Sequence, residues 1–221
     1  MPNILAIETS GAVCSVGLLI KGNEFFFHDR DSTHHSENLL DIIEQLLSEA
    51  DNTLHDLDAF AVSCGPGSFT GIRVASALSQ GLAYSVNGLG IKVSSLEVLS
   101  EKINHKFQPP KVIVIEDAKM DQLYLGTFNY SSMNLTSSNE ELVLSKNLDL
   151  NMYDRDTYFI GSGCLLLEDS LKNISTNIYP SEPHAQDLLR IALKKFNNFQ
   201  TVSPEKILPN YLIDETYWST K

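Results

Sequence analysis

Apolar and polar positions change period several times along the chain, and each change marks a predicted element. Residues 3–8, 12–20 and 23–29 ("NILAIE", "AVCSVGLLI", "NEFFFHD") are rich in β-formers and are separated by "TSG" and "KG". That is the pattern of three strands in a tight antiparallel meander. Over residues 35–50, "HSENLLDIIEQLLSEA", apolar pairs fall at 39/40, 42/43 and 46/47 with acids between them. This spacing predicts a helix with a wide apolar stripe. "DAFAVSC" (58–64) then predicts a fourth strand, residues 69–86 a second helix, and "GIKVSSLEVLSEKI" (90–103) a short strand leading into a third helix. A strand meander followed by strand and helix in alternation predicts an α/β lobe.

In "HKFQPPK" (105–111) two prolines stop the third helix before a new apolar run, "VIVIED". We therefore expect a first lobe over residues 1–108 and a second, smaller one over 109–221. In the second, "DQLYLGTFNY" alternates as a strand, "SSMNLTSSNE" (131–140) is polar and reads as a loop, and "TYFIGSGC" (157–164) is a strand with a glycine turn. "EPHAQDLLRIALKKF" (182–196) reads as an amphipathic helix closing that lobe, with Lys194 and Lys195 matched to its dipole.

The junction "SCGPGSFTGIR" joins a strand to a helix through a glycine-proline-glycine turn, a context that suits an anion because backbone N–H groups and a helix N-terminus converge there. The turn lacks the lysine of a G-x-x-x-x-G-K-[ST] loop and has one residue too many for G-x-G-x-x-G. Pro66 also rules out a G-x-S-x-G elbow. A structural turn and an anion site both remain open. The helix beyond is more informative. Gly71, Ala75, Ser79 and Ala83 recur every fourth residue, with Ala77, Gly81 and Ser85 as a neighbouring row. Rows so small permit close approach of another backbone, either of the chain's own sheet or of a second subunit.

Composition narrows the function. A formal charge of −12 argues against a surface that grips nucleic acid unaided. Three cysteines, far apart in apolar surroundings, predict buried thiols rather than disulfides or a zinc site. With no basic leader and no run of about 18 apolar residues, we expect a cytoplasmic protein. His34 and His35 are consecutive and point apart, while His55, His105 and His184 fall near loops or helix ends and are expected to be solvated.

The stretches "ILAIETSGAVCSVGLL", "HSENLLDIIEQLL", "LDAFAVSCGPGSFTGIRVASALSQGLA", "DAKMDQLYLGTF" and "LPNYLIDE" resemble the bacterial tRNA threonylcarbamoyladenosine biosynthesis proteins of the TsaB (YeaZ) family. The likeness covers most of the chain and is densest over residues 4–100. It implies an actin-like, Hsp70-like ATPase fold of two ribonuclease H-like lobes. It also implies a noncatalytic partner of the related enzyme TsaD, which modifies the adenosine beside the anticodon of ANN-decoding tRNAs. TsaC and the ATPase TsaE are the further implied components, tRNA is contacted indirectly, and ATP or ADP and metal are expected on the partner proteins rather than on this chain.

In TsaD, a segment like V-N-H-M-E-G-H supplies two metal-binding histidines at i and i+4. The matching residues here, in "VSSLEVL", are Ser95 and Leu99, so the resemblance implies that the metal site is lost. Glu97 keeps its register and reads as a solvent-facing helix residue. Glu8, Gly65 and Gly67 are the weak candidates for contact with a nucleotide. Leu39, Ile43, Leu46, Ile72, Ser76, Ser79, Leu82 and Ala83 are the expected contacts in a four-helix pairing with TsaD, or with a second copy when TsaD is absent. Ala75, Gln122 and Ile213 depart from residues common in the family. The rival readings are a self-sufficient ATPase or kinase, sensitive to loss of Glu8, and a metalloprotease, which needs paired ligands that the sequence does not offer.

Overall fold

The computed structural model describes residues 1–29 and 38–212. His34, His35 and Ile213 lie outside the described residues, as does the start of the helix expected from residue 35. In chain order the elements are β1 (Ile4–Glu8), β2 (Cys14–Ile20), β3 (Asn23–Asp29), α1 (Leu39–Glu49), β4 (Ala59–Ser63), α2 (Phe69–Val86), β5 (Leu89–Val93) and α3 (Ser95–Phe107). There follow β6 (Lys111–Lys119), β7 (Gln122–Ser131), β8 (Asn134–Leu144), β9 (Tyr158–Ile160), α4 (Gly163–Leu166), α5 (Glu168–Lys172), β10 (Ile178–Tyr179) and α6 (Ala185–Asn197). Among the described residues, no helix is long and apolar enough to cross a membrane.

The chain divides into two units, Met1–Val98 with Pro183–Asn210, and Leu99–Glu182 with Tyr211–Lys221. In the first, a five-stranded sheet has the order β3-β2-β1-β4-β5. β1, β2 and β3 are antiparallel, whereas β4 and β5 run parallel to β1. Lys21 and Gly22, both at positive φ, form the two-residue turn between β2 and β3, whose backbone twist suits a hairpin. Both faces of this sheet are covered. Leu5, Ile7, Phe60 and Val62 meet α1 and α2 on one face. On the other, the small row Ala6, Ala59 and Ala61 lets α6 lie close, with Leu188, Leu189 and Ala192 against it. Strands buried on both faces read as unbroken apolar runs, as these do.

The second sheet has the order β10-β9-β6-β7-β8. β6, β7 and β8 are antiparallel, and β9 and β10 run parallel to β6. Counted from its first strand, this is the strand arrangement of the first sheet, so the fold is a pair of ribonuclease H-like α/β units. Its core gathers Ile113, Ile115, Leu123, Leu125 and Phe159 under α4 and α5, with Cys164 and Leu171. On α3, Ser100 Oγ lies 2.6 Å from the Tyr130 hydroxyl of β7, and Phe107 packs on Tyr158 and Tyr179.

Three expectations are corrected. The division falls after Val98 within α3, not at residues 105–111, because a helix can run past the point where chain contacts change partner. The helix expected to close the second lobe is α6, which belongs to the first unit: its apolar stripe is buried against β1, β4 and β5. Residues 134–140, read as loop, begin the edge strand β8. A two-residue turn, Ser132 and Met133 at positive φ, returns the chain to pair with β7, and an edge strand exposed along most of its length needs no apolar alternation.

Candidate partner-docking site

The glycine turn after β4 is closed by the chain's own backbone. Ser68 N donates to Ser10 O at 2.7 Å, and Thr9 Oγ1 donates to Gly71 O at 2.9 Å. A Cβ on Gly67 would stand 2.3 Å from Ser10 O, and one on Gly71 would stand 2.0 Å from Thr9 O. Gly65 and Gly67 both hold positive φ. From the other side Ser95 N donates to Gly65 O at 3.1 Å, the Ser95 hydroxyl donates to Pro66 O, and Asn210 N donates to Cys64 O at 2.7 Å. At the N-terminus of α2, Ser68 Oγ accepts from Gly71 N. Glu8 is fully buried at the end of β1, and its Oε1 accepts from Ser10 N at 2.6 Å and Ser10 Oγ at 2.5 Å.

The structure thus brings Glu8, Gly65 and Gly67 to one turn. There the two glycines let backbone meet backbone and the Glu8 carboxylate holds Ser10, which gives each a structural role.

The expected contact residues are mostly turned inward. Leu39, Ile43, Leu46, Ile72, Ser76, Ser79 and Ala83 are no more than 4% exposed; only Leu82, half-buried, reaches the surface. Periodicity found the two helices but not the face of α2 that meets the sheet, because both of its rows are small. The outward row is Phe69, Arg73, Ala77, Gly81 and Tyr84. Phe69 and Tyr84 are 60% and 73% exposed, the Arg73 guanidinium lies 3.5 Å from the Phe69 ring centroid, and a Cβ on Gly81 would meet nothing within 4 Å. An aromatic at each end of the Ala77–Gly81 row was the signal available in the sequence. Between α1 and residues 51–56, and reaching Leu82 of α2, lies an open groove of about 810 Å³, with Ile43 and Leu47 also in its lining and acidic residues along its edge.

Other candidates fall as follows. Ser95 and Leu99 are buried. Glu97 is not solvent-facing: Lys195 Nζ donates to its Oε2 at 2.9 Å, pinning α6 to α3 in a largely buried ion pair. His55 and His105 are exposed, whereas His184, expected in solvent, is half-buried with its ring 4.9 Å from that of His28. Cys14, Cys64 and Cys164 are buried and form no disulfide. Burial, reinforced by neighbouring acids, pushes the Cys14 thiol up to about 11 and the Cys164 thiol to about 12, so both stay protonated. Ala75 is buried in the first core, and Gln122 is half-buried at the start of β7. Among the described residues, no three His, Cys, Asp or Glu side chains gather as metal ligands.

Comparison with known proteins agrees with this architecture. Residues 29–150 match the family model described as TsaD, tRNA N6-adenosine threonylcarbamoyltransferase. The tRNA threonylcarbamoyladenosine biosynthesis protein TsaB of Haemophilus influenzae is 27% identical, over 97% of this chain and 95% of the relative. That of Buchnera aphidicola subsp. Acyrthosiphon pisum is 30% identical, over 88% and 90%. The solved structure of YeaZ from Pseudomonas aeruginosa superposes with a TM-score of 0.84 at 28% identity, covering 96% of this chain and all of that one. Taken with the paired sheets and the "GPGSFTGIR" turn, these matches show that the chain belongs to the TsaB (YeaZ) family of tRNA threonylcarbamoyladenosine biosynthesis proteins.

Proposed function

We propose that this chain is a noncatalytic subunit that docks on a TsaD enzyme and supports its formation of threonylcarbamoyladenosine beside the anticodon of ANN-decoding tRNAs. The observation that carries the reading is the outward row of α2, where exposed Phe69 and Tyr84 bracket Ala77 and Gly81. Aromatic anchors around a small-residue centre suit a partner helix, and a specific contact of this kind buries roughly 1,200–2,000 Å² in all. The same face pairs with a second copy when TsaD is absent. The closed turn at Gly67 and the absence of the two histidines at Ser95 and Leu99 favour a structural role over chemistry, with nucleotide and metal held by the partners. TsaC supplies the threonylcarbamoyl group, TsaE resets the complex, and tRNA is held mainly elsewhere, in the cytoplasm. The chain acts by binding one arrangement of TsaD more tightly than others, which shifts its population.

Reconstitution of the modification from purified TsaC, TsaD, TsaE and tRNA, with and without this chain, tests the role. Full-rate modification in its absence would refute it. Gly81→Arg, which sets a long charged side chain in open space on the outward row, should fold normally yet fail to co-elute with TsaD. Undiminished co-elution would remove α2 from the contact.

A further inference from the structure

The groove between α1 and residues 51–56, which reaches Leu82 of α2, carries a charge pattern that the docking reading does not require. Its floor is apolar, from Ile43, Leu47, Leu54 and Leu82, and its exposed edge carries Glu44 and Asp51. Asp56 stands at the same edge, where its carboxylate accepts from Thr53 N and Thr53 Oγ1, both at 2.8 Å. Basic groups nearby are few: His55 and Lys21 lie close enough to Asp56 to favour its charged form, after the Thr53 hydrogen bonds. From residue 39 to residue 58 the chain has Asp41, Glu44, Glu49, Asp51, Asp56 and Asp58, and neither Lys nor Arg. The last turn of α1 has no basic residue either, so the negative end of its dipole adds to the field beside Asp51 and Asn52.

We propose that this groove receives an apolar helix flanked by Lys or Arg side chains, and that its acidic edge selects such a partner against a second copy of this chain. The proposal rests on the docking reading above and adds the chemistry of the partner. Two copies meeting through α1 and α2 bring like charges together, while a basic-flanked helix relieves them. Specificity of this kind comes from repulsion of the wrong partner as much as from attraction of the right one.

The two assemblies then respond to salt with opposite sign. Between about 50 mM and about 500 mM NaCl, where screening shortens from about 14 Å to about 4 Å, binding to TsaD should weaken severalfold while self-association of the chain tightens. Glu44→Gln combined with Asp51→Asn removes two edge charges and keeps the fold, because both side chains are exposed and Asn tolerates the positive φ of residue 51. This variant should bind TsaD roughly three- to tenfold more weakly at low salt, with the gap closing at high salt, and should self-associate more tightly than the wild type. Isothermal titration with TsaD and sedimentation of the chain alone read both effects. Wild-type binding to TsaD that ignores both salt and the double substitution overturns the groove proposal and leaves docking intact. A wild-type chain that binds TsaD at no salt concentration removes the docking reading, and this inference falls with it.

Discussion

The two sheets share a strand order but differ in how they are covered. In the first unit β1, β2 and β4 are buried from end to end, between α1 and α2 on one face and α6 on the other. In the second, β7 alternates and β8 is exposed along most of its length. Yet both units set an acid of the first strand against a serine of a turn, Glu8 at the end of β1 and Glu116 inside β6. Glu8 accepts from the N–H and hydroxyl of Ser10, two residues on; Glu116 accepts from the N–H and hydroxyl of Ser162, which follows β9, at 2.8 and 2.9 Å. In each, a glycine of the turn after the fourth strand presses on backbone: Gly67 on Ser10 O, Gly161 on Ile115 O, each with 2.3 Å to a hypothetical Cβ. The acid and the turn therefore belong to the architecture. What distinguishes the first unit is its helical cover and the outward face of α2.

Substitution of the two glycines is the severest trial of that likeness. Gly67→Ala and Gly161→Ala each force a Cβ into a carbonyl oxygen at positive φ. Each should cost about 3 kcal/mol or more by urea unfolding, since overpacking and backbone strain add. A large loss at one position and none at the other would show that the two turns are alike only in outline.

The acids should separate the units. Glu8 is fully buried, so Glu8→Ala leaves two donors of buried Ser10 without their acceptor and opens a cavity, at a cost of about 2–4 kcal/mol. Glu116 is half-buried, water can replace its carboxylate, and Glu116→Ala should cost about 1 kcal/mol. Equal losses in paired unfolding curves would contradict the contrast in cover.

Much of this was legible in the sequence, for local reasons. α2 spans 69–86 as expected, bounded by the Ser68 cap and by Asn87 in the left-handed conformation, and the meander is marked by its turn residues. What escaped was long-range. The stripe of α6 states that it packs on a sheet but not on which one, and nothing near Glu97 announces Lys195, 98 residues away. β8 was invisible because an exposed edge has no buried face to impose a period. At the candidate site, the helices were found and the face was not. Gly71, Ala75, Ser79 and Ala83 form one small row, Ala77, Gly81 and Ser85 another, and only the sheet beneath decides between them.

Gly81 sharpens that point with a smaller effect. Its open surroundings within the chain mean that Gly81→Ala meets no neighbour there and gains helix propensity, so the chain kept dilute enough to stay monomeric should become about 0.5–1 kcal/mol more stable. A thermal melt that moved down rather than up would place Gly81 under a contact and return the outward row to the core.

The smallest expected effect concerns acid. Hydrogen bonds from Thr53 hold the Asp56 carboxyl below its ordinary value in the first unit, and in the second a hydrogen bond and ion pair with Lys119 does the same for Asp117. A folded pKa below the unfolded one means that the folded state binds the proton less readily. Each group therefore contributes stability that is complete above the unfolded carboxylate value of about 3.9 and is lost as pH falls through the lower folded value. Because Lys119 is exposed, its share at Asp117 is screened by salt, whereas the neutral donors of Thr53 are not. Urea midpoints measured between about pH 5 and about pH 2 should thus fall less steeply in Asp117→Asn than in the wild type at low salt, with the difference fading at high salt. For Asp56→Asn the corresponding difference should persist at both ionic strengths, because it reports hydrogen bonds rather than a charge pair.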